Sequence, residues 1–224
     1  MLILRISLCL VICLFSSQTI AEETSERFKP NGNYRYIEIG LAKTNESNPI
    51  CSGINSTECY KTLRGTELTA SLQFLSLPNL LISASTSSQG ATGNSYNLTN
   101  SYSKLLVGLI GGFGPVDVLV SVSSISADIL SCPNGNNNCQ ITLENGADFG
   151  AMAKLWLGSE KDFNIGATVD RYSYSPSSAN ISTSIFGTWI PAIHHSFSVG
   201  FKSDMNINGT SISNGGSLSY AYLF

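Results

Sequence analysis

Leu218-Ser219-Tyr220-Ala221-Tyr222-Leu223-Phe224 ends the sequence. Counting back by twos from Phe224 gives Tyr222, Tyr220 and Leu218, while Leu223, Ala221 and Ser219 lie between them and are on average smaller and more polar. Successive side chains of an extended strand point to opposite faces, so this alternation predicts a strand with one face toward an apolar medium. A terminal aromatic alone is a modest signal. Its weight comes from whether the same pattern recurs upstream.

It recurs nine times. The period-two signal predicts strands over about 33–43, 64–76, 80–88, 103–113, 116–126, 147–157, 163–172, 181–190, 195–205 and 215–224. Ile37, Ile39 and Leu41 alternate with Tyr36, Glu38 and Gly40 in the first. Leu68, Ala70, Leu72 and Phe74 face away from Glu67, Thr69 and Ser71 in the second. The fourth is blurred by Leu106 and Ile110, and the eighth is the weakest, which leaves eight strands as the alternative to ten. Leu105–Val122 is apolar enough to suggest a spanning helix, but Gly114-Pro115 and Asp117 in its middle read as a turn between strands.

A soluble sandwich would bury the apolar faces, whereas a transmembrane barrel would turn them to lipid. Periodicity does not separate the two; the connections do. Long polar links (about 44–62, 89–102 and 127–146) alternate with tight turns at Ser76–Asn79, Gly112–Pro115 and Ser159–Asp162. Such alternation is expected of a barrel whose two ends face different compartments. The reading is therefore all-β: a closed antiparallel transmembrane β-barrel over 33–224, most simply with ten strands.

The start of the sequence reads as a signal peptide, 1–21. Arg5 is its basic region, Ile6–Phe15 its apolar run and Thr19-Ile20-Ala21 its cleavage site. A membrane anchor is the alternative, but the run is shorter than the ~20 residues a spanning helix needs. Residues 22–32 read as a short periplasmic segment. Cys51, Cys59, Cys132 and Cys139 remain in the exported chain. Each pair is close in sequence within a Gly/Asn/Ser-rich stretch, so disulfides Cys51–Cys59 and Cys132–Cys139 are the natural assignment. Zinc is the alternative, disfavoured by the absence of CxxC and by the distance to either His.

Tyr36-Ile37-Glu38-Ile39-Gly40, the Gly114-Pro115 start of the fifth strand and Phe149-Gly150-Ala151-Met152-Ala153 resemble the small outer-membrane β-barrels of the OmpA/OmpX-like superfamily. Leu218, Tyr220, Tyr222 and Phe224 resemble the C-terminal signal through which the barrel-assembly machinery recognises its clients. The resemblance is one of pattern over nearly all of the mature chain. It implies the outer membrane of a Gram-negative cell, with lipid and lipopolysaccharide around the barrel and the assembly machinery as a partner during biogenesis. It implies no single activity, and many members have eight strands rather than ten.

Glu38, Glu67, Asp148, Lys154, Asp170, Lys202 and Asp204 fall on the inward parity. An ion pathway is one reading; a paired polar filling of a narrow barrel is the simpler one. His194, His195 and Ser196 invite comparison with outer-membrane hydrolases, but their place at a periplasmic turn argues against catalysis. Ten aromatics, among them Tyr34, Tyr36, Tyr102 and Tyr172, read as interface girdles, except that Trp156 falls on the inward parity and is expected to pack inside. A net charge of −3 argues against a nucleic-acid partner, which would need a basic face, and no cofactor motif is present. The leading expectation is a non-enzymatic barrel with disulfide-tied extracellular loops in a structural, adhesive or partner-binding role. A narrow pore or transporter for small solutes is the alternative, and a barrel hydrolase a third; the extracellular ligand is not legible.

Overall fold

A computed structural model describes residues 30–52, 58–74, 79–133, 139–158, 160–175 and 178–224. The expected signal peptide lies outside the described residues. Ten strands form one closed antiparallel barrel: β1 (Tyr36–Ser52), β2 (Glu58–Phe74), β3 (Leu80–Thr92), β4 (Tyr96–Phe113), β5 (Val116–Pro133), β6 (Gln140–Leu157), β7 (Phe163–Ser175), β8 (Ser178–Ala192), β9 (His195–Asn206) and β10 (Ser211–Leu223). Each strand pairs with its sequence neighbours. Closure is made where β1 meets β10, from Tyr36 opposite Leu223 to Glu46 opposite Ser213. The weakly patterned eighth strand is in register with both β7 and β9, which settles the count at ten.

The strand faces separate cleanly. Ile39, Leu72, Val120, Phe149 and Val199 all point outward, with 58, 48, 62, 65 and 62% of their surface exposed. Most of the serines, glycines and charges between them, such as Glu38, Ser71, Ser121, Gly150 and Asp170, point into the lumen. A buried cluster of Tyr34, Leu81, Ile110 and Leu119, with Leu106 and Met152 against it, fills the barrel near its tight-turn end. Several expected girdle aromatics are inside instead. Tyr34 is buried, and Tyr36, Tyr102 and Tyr172 share the parity of Glu38, Lys104 and Asp170. A narrow lumen needs bulk to fill it, and a ring with one hydroxyl supplies bulk and a polar tip together.

The expected long loops are largely strand. β1, β2, β4, β5 and β6 run 17 or 18 residues, and only short links remain between them at the far end. Once the apolar alternation stops, polar strands look like loops in sequence, but the backbone ladder does not depend on which side chains it carries. Of the expected tight turns, Gly112–Pro115 is as expected, while Ser76–Asn79 and Ser159–Asp162 lie partly outside the described residues. Gly114 takes φ 61° in the two-residue β4–β5 turn, a left-handed conformation that glycine adopts without cost.

Candidate functional site

The tight-turn end of the lumen is organised around Asp117. It is the second residue of β5, on the inward parity, and fully buried. Its Oδ1 accepts from the backbone N–H of Asn31 (2.7 Å) and from Asn31 Nδ2 (2.9 Å). Its Oδ2 accepts from Gly32 N (3.1 Å), Tyr34 Oη (2.9 Å) and Trp156 Nε1 (2.8 Å). Five donors on one carboxylate are the compensation a buried anion requires. Asn31 also donates to the Gly114 carbonyl (2.8 Å) and accepts from Lys161 Nζ (2.6 Å), which pins residues 31–34 across the mouth. Position 32 must be glycine here, because a Cβ would run into the Trp156 indole.

Lys154 stands opposite Asp117 in the β5–β6 register. Its Nζ lies 4.7 Å from the Tyr34 ring centroid, 5.6 Å from Trp156 and 5.7 Å from Phe186. Three ring faces and one nearby anion hold the ammonium without a direct carboxylate bond. Cation, carboxylate and apolar cluster together close this end with side chains.

Higher in the lumen the predicted charges divide into groups. Asp148 is buried and paired with Lys104, whose Nζ is also 3.5 Å from Asp170. Lys202 lies 3.5 Å from Asp204, which accepts from Ser213 Oγ at 2.8 Å. Glu38 accepts from Ser219 Oγ. Glu67 shares their inward parity. Two members of these networks escaped the sequence reading. Lys104 sits beside the Leu105-Leu106 pair that blurs the parity of β4, and Asp117 follows Gly-Pro closely enough to look like part of the turn.

The opposite end projects. Disulfides Cys51–Cys59 and Cys132–Cys139 tie the β1–β2 and β5–β6 hairpins. Glu58 of β2 clasps the β3–β4 turn: Oε1 accepts from Ser95 N (2.9 Å) and Oε2 from Tyr96 N (3.1 Å). The Tyr60 hydroxyl lies 2.9 Å from Glu58 Oε2 and 2.6 Å from the Tyr96 carbonyl, so it donates to one at a time. The desolvation that raises the Glu58 pKa is outweighed by these bonds, and the net effect holds it below the ordinary glutamate range. The β5–β6 hairpin behaves differently. β6 pairs with β5 up to Gln140 opposite Ser131, yet its pairing with β7 stops at Ala147 opposite Ser173. Gln140–Asn145 therefore has no paired strand on its second edge among the described residues, whereas Gly146 still lies against the Ser173–Tyr174 backbone of β7. Ile141 and Leu143 stand exposed there, Leu143 at 68%.

The histidines sit outside the wall, at the β8–β9 turn. His194 Nδ1 is 2.8 Å from the Leu223 carbonyl, and His195 Nδ1 is 2.7 Å from Tyr220 Oη. The His194 ring stacks on Tyr222 at 5.6 Å. Ser196 is buried on the inward parity, whereas His195 is exposed, so the two side chains lie on opposite sides of the barrel wall. The histidines grip β10 rather than a nucleophile. Leu218, Tyr222 and Phe224 face outward along that strand, and the Tyr220 ring lies against Phe197, with centroids 5.4 Å apart.

No protein-family model matches the sequence, and no curated protein matches it significantly. Among solved structures, the barrel is similar to Ail, the attachment invasion locus protein of Yersinia pestis. The identity is 10%, the TM-score 0.43, and 86% of this chain and 99% of that one are covered. It is similar to the translocator domain of the autotransporter NalP from Neisseria meningitidis (8%, 0.45, 96 and 97%). It is also similar to the outer membrane protein OprG from Pseudomonas aeruginosa (9%, 0.41, 86 and 96%). At these identities and scores no role passes from them to this chain. The closed antiparallel barrel, apolar outside and polar within, itself fits the small outer-membrane class that the sequence resembles.

Proposed function

We propose that the protein is an integral outer-membrane barrel without enzymatic activity, which presents its disulfide-tied hairpins outside the cell to bind a macromolecular partner. The membrane part follows from the outward apolar face. Each Leu, Ile, Val or Phe left in water instead of an apolar phase forgoes about 1.5–3 kcal/mol, and the barrel shows dozens of them. Acyl chains are the medium that recovers this.

The partner-binding part rests on the asymmetry of the two ends. A conducting pore needs both mouths open, and one mouth here is closed by Asp117, its five donors and the Tyr34 cluster. The other end extends strands well past the apolar face and leaves a β6 edge, Gln140–Asn145, with no paired strand among the described residues, the feature by which sheets add a further strand. Lipid and lipopolysaccharide surround the wall in this reading, and the barrel-assembly machinery takes the β10 face as its signal.

Heat-modifiability on a gel together with membrane fractionation tests the membrane part. A shift on boiling and recovery with outer membranes are expected, and a soluble product of unchanging mobility overturns it. Planar-bilayer recording tests the closed mouth: wild-type protein should show no steady conductance, and stable openings would favour a narrow solute pore. An Ile141→Lys/Leu143→Lys double variant tests the edge. It should lose binding to whole-cell surfaces or matrix proteins that the wild type binds, with unchanged heat-modifiability.

A further inference from the structure

One row of outward residues crosses four strands: Gly216 on β10, Lys43 on β1, Arg64 on β2 and Gly90 on β3, each the register partner of the next. Lys43 and Arg64 are thus directly opposite one another, and both are exposed. Like charges in that position are destabilising. Nothing nearby relieves them, since neither makes an ion pair among the described residues. The outward positions one row below are Leu218, Leu41, Thr66 and Ser88, and one row above are Asn214, Asn45 and Thr62. No carboxylate is among them.

The pair also stands at a boundary. Leu41 and Leu218 below it are among the most exposed apolar side chains of the wall. Above it the surface is polar and neutral, with Thr62 Oγ1 donating to Asn45 Oδ1 at 3.0 Å. The flanking glycines carry no side chain, so the two cations border a shallow pad rather than a crowded ridge. An anion set between them would turn the repulsion into two attractions, with Arg64 offering a fork of donors and Lys43 a point charge. That anion would belong to a molecule whose remainder is apolar enough to lie along Leu41 and Leu218.

We infer that Lys43 and Arg64 form a binding site for the phosphorylated headgroup of an outer-leaflet lipid, whose acyl chains run down the β10–β1–β2 face. The inference rests on the membrane reading above and adds to it a specific lipid contact.

The test uses the full-length protein in phosphatidylcholine bilayers doped with lipid A or with dephosphorylated lipid A, read by the temperature at which the barrel loses its gel mobility shift and by lipid retained after gel filtration. Wild type should retain lipid A at least about tenfold better than the dephosphorylated form, and a Lys43→Gln/Arg64→Gln variant should lose that preference. Lys61→Gln, a cation removed from the exposed hairpin, should keep it. A sign change is also expected. In undoped bilayers Lys43→Gln should leave the melting temperature equal or raised, because a repulsion is gone; with lipid A present it should lower it. Equal retention by wild type and the double variant overturns the site. Displacement of lipid A by inorganic phosphate overturns the lipid assignment in favour of a free anion. A wild type that fails to enter bilayers at all is a failure of the membrane reading instead, and appears before any lipid is added.

Discussion

The two ends of this barrel are built from one antiparallel ladder and finish it in opposite ways. At the tight-turn end five donors converge on Asp117, Lys154 is covered by three rings, and residues 31–34 lie across the mouth. At the other end β5 and β6 continue past the point where the β6–β7 pairing stops, and a six-residue edge from Gln140 to Asn145 has no paired strand among the described residues. Buried polar groups cost a great deal when unpaired and exposed ones cost little. Hence loss of a partner should cost more at the sealed end than at the projecting one. The sealed end should set stability, and the open end should set what the molecule meets.

The largest effect should come from the sealed end. Asp117→Ala leaves the Trp156 indole N–H, the Tyr34 hydroxyl and two backbone N–H groups without an acceptor and strips Lys154 of its facing anion. A loss of roughly 3–5 kcal/mol in barrel unfolding free energy is expected, as when one partner of a buried charge network is removed. Asp117→Asn keeps one acceptor oxygen and should fall between. Conductance gives a second readout: the Ala variant should pass a current that the wild type does not. Unchanged unfolding in urea-titrated liposomes would show that the end is closed by the Tyr34 cluster alone.

Much of this contrast was legible in sequence, and the limits have physical causes. The outward face was readable because lipid-facing alternation is a period-two signal in hydrophobicity, and Ile39, Leu72, Val120, Phe149 and Val199 all obey it. Strand lengths were not. Beyond the apolar stretch, residues such as Asn97, Thr99 and Asn100 still pair in the ladder, but no apolar alternation announces it. The seal was hidden for a different reason. Asp117 takes its meaning from residues 31–34, more than eighty positions away, and parity reports a face without reporting a partner. Lys104 was masked because β4 carries apolar residues on both faces at that height.

At the projecting end the disulfides should matter locally. Cys132 and Cys139 are separated by only seven positions in sequence, and closing so short a loop constrains the unfolded hairpin by about 2–3 kcal/mol in the chain-entropy view. That gain belongs to the projecting hairpin rather than to the apolar wall, because Cys132 lies ten residues beyond Val122, the last exposed large apolar residue of β5. A Cys132→Ser/Cys139→Ser variant should therefore show faster surface proteolysis near residues 132–140, with the heat-modifiable shift unchanged. A fall in barrel melting as large as that of Asp117→Ala would break the separation between the two ends.

The smallest effect expected is acid loosening of the Glu58 clasp. Its net pKa lies below the ordinary glutamate value, so the folded state binds that proton less readily than the unfolded one. The sign follows from linkage: the contribution is fully present above the unfolded-state value and fades as pH falls through the depressed folded value. Protonation removes one of the charged acceptors for Ser95 N and Tyr96 N, and the β3–β4 turn should come away from β2. Amide exchange relative to the intrinsic rate at Ser95 and Tyr96, followed from pH 6 down through the carboxylate range, should rise there and not at Asn31 or Gly32. Glu58→Gln should show the raised exchange already at pH 6 and lose its pH dependence. If the wild-type exchange at Ser95 is flat with pH while that at Gly32 rises, the greater tolerance for loss of a partner has been assigned to the wrong end of the barrel.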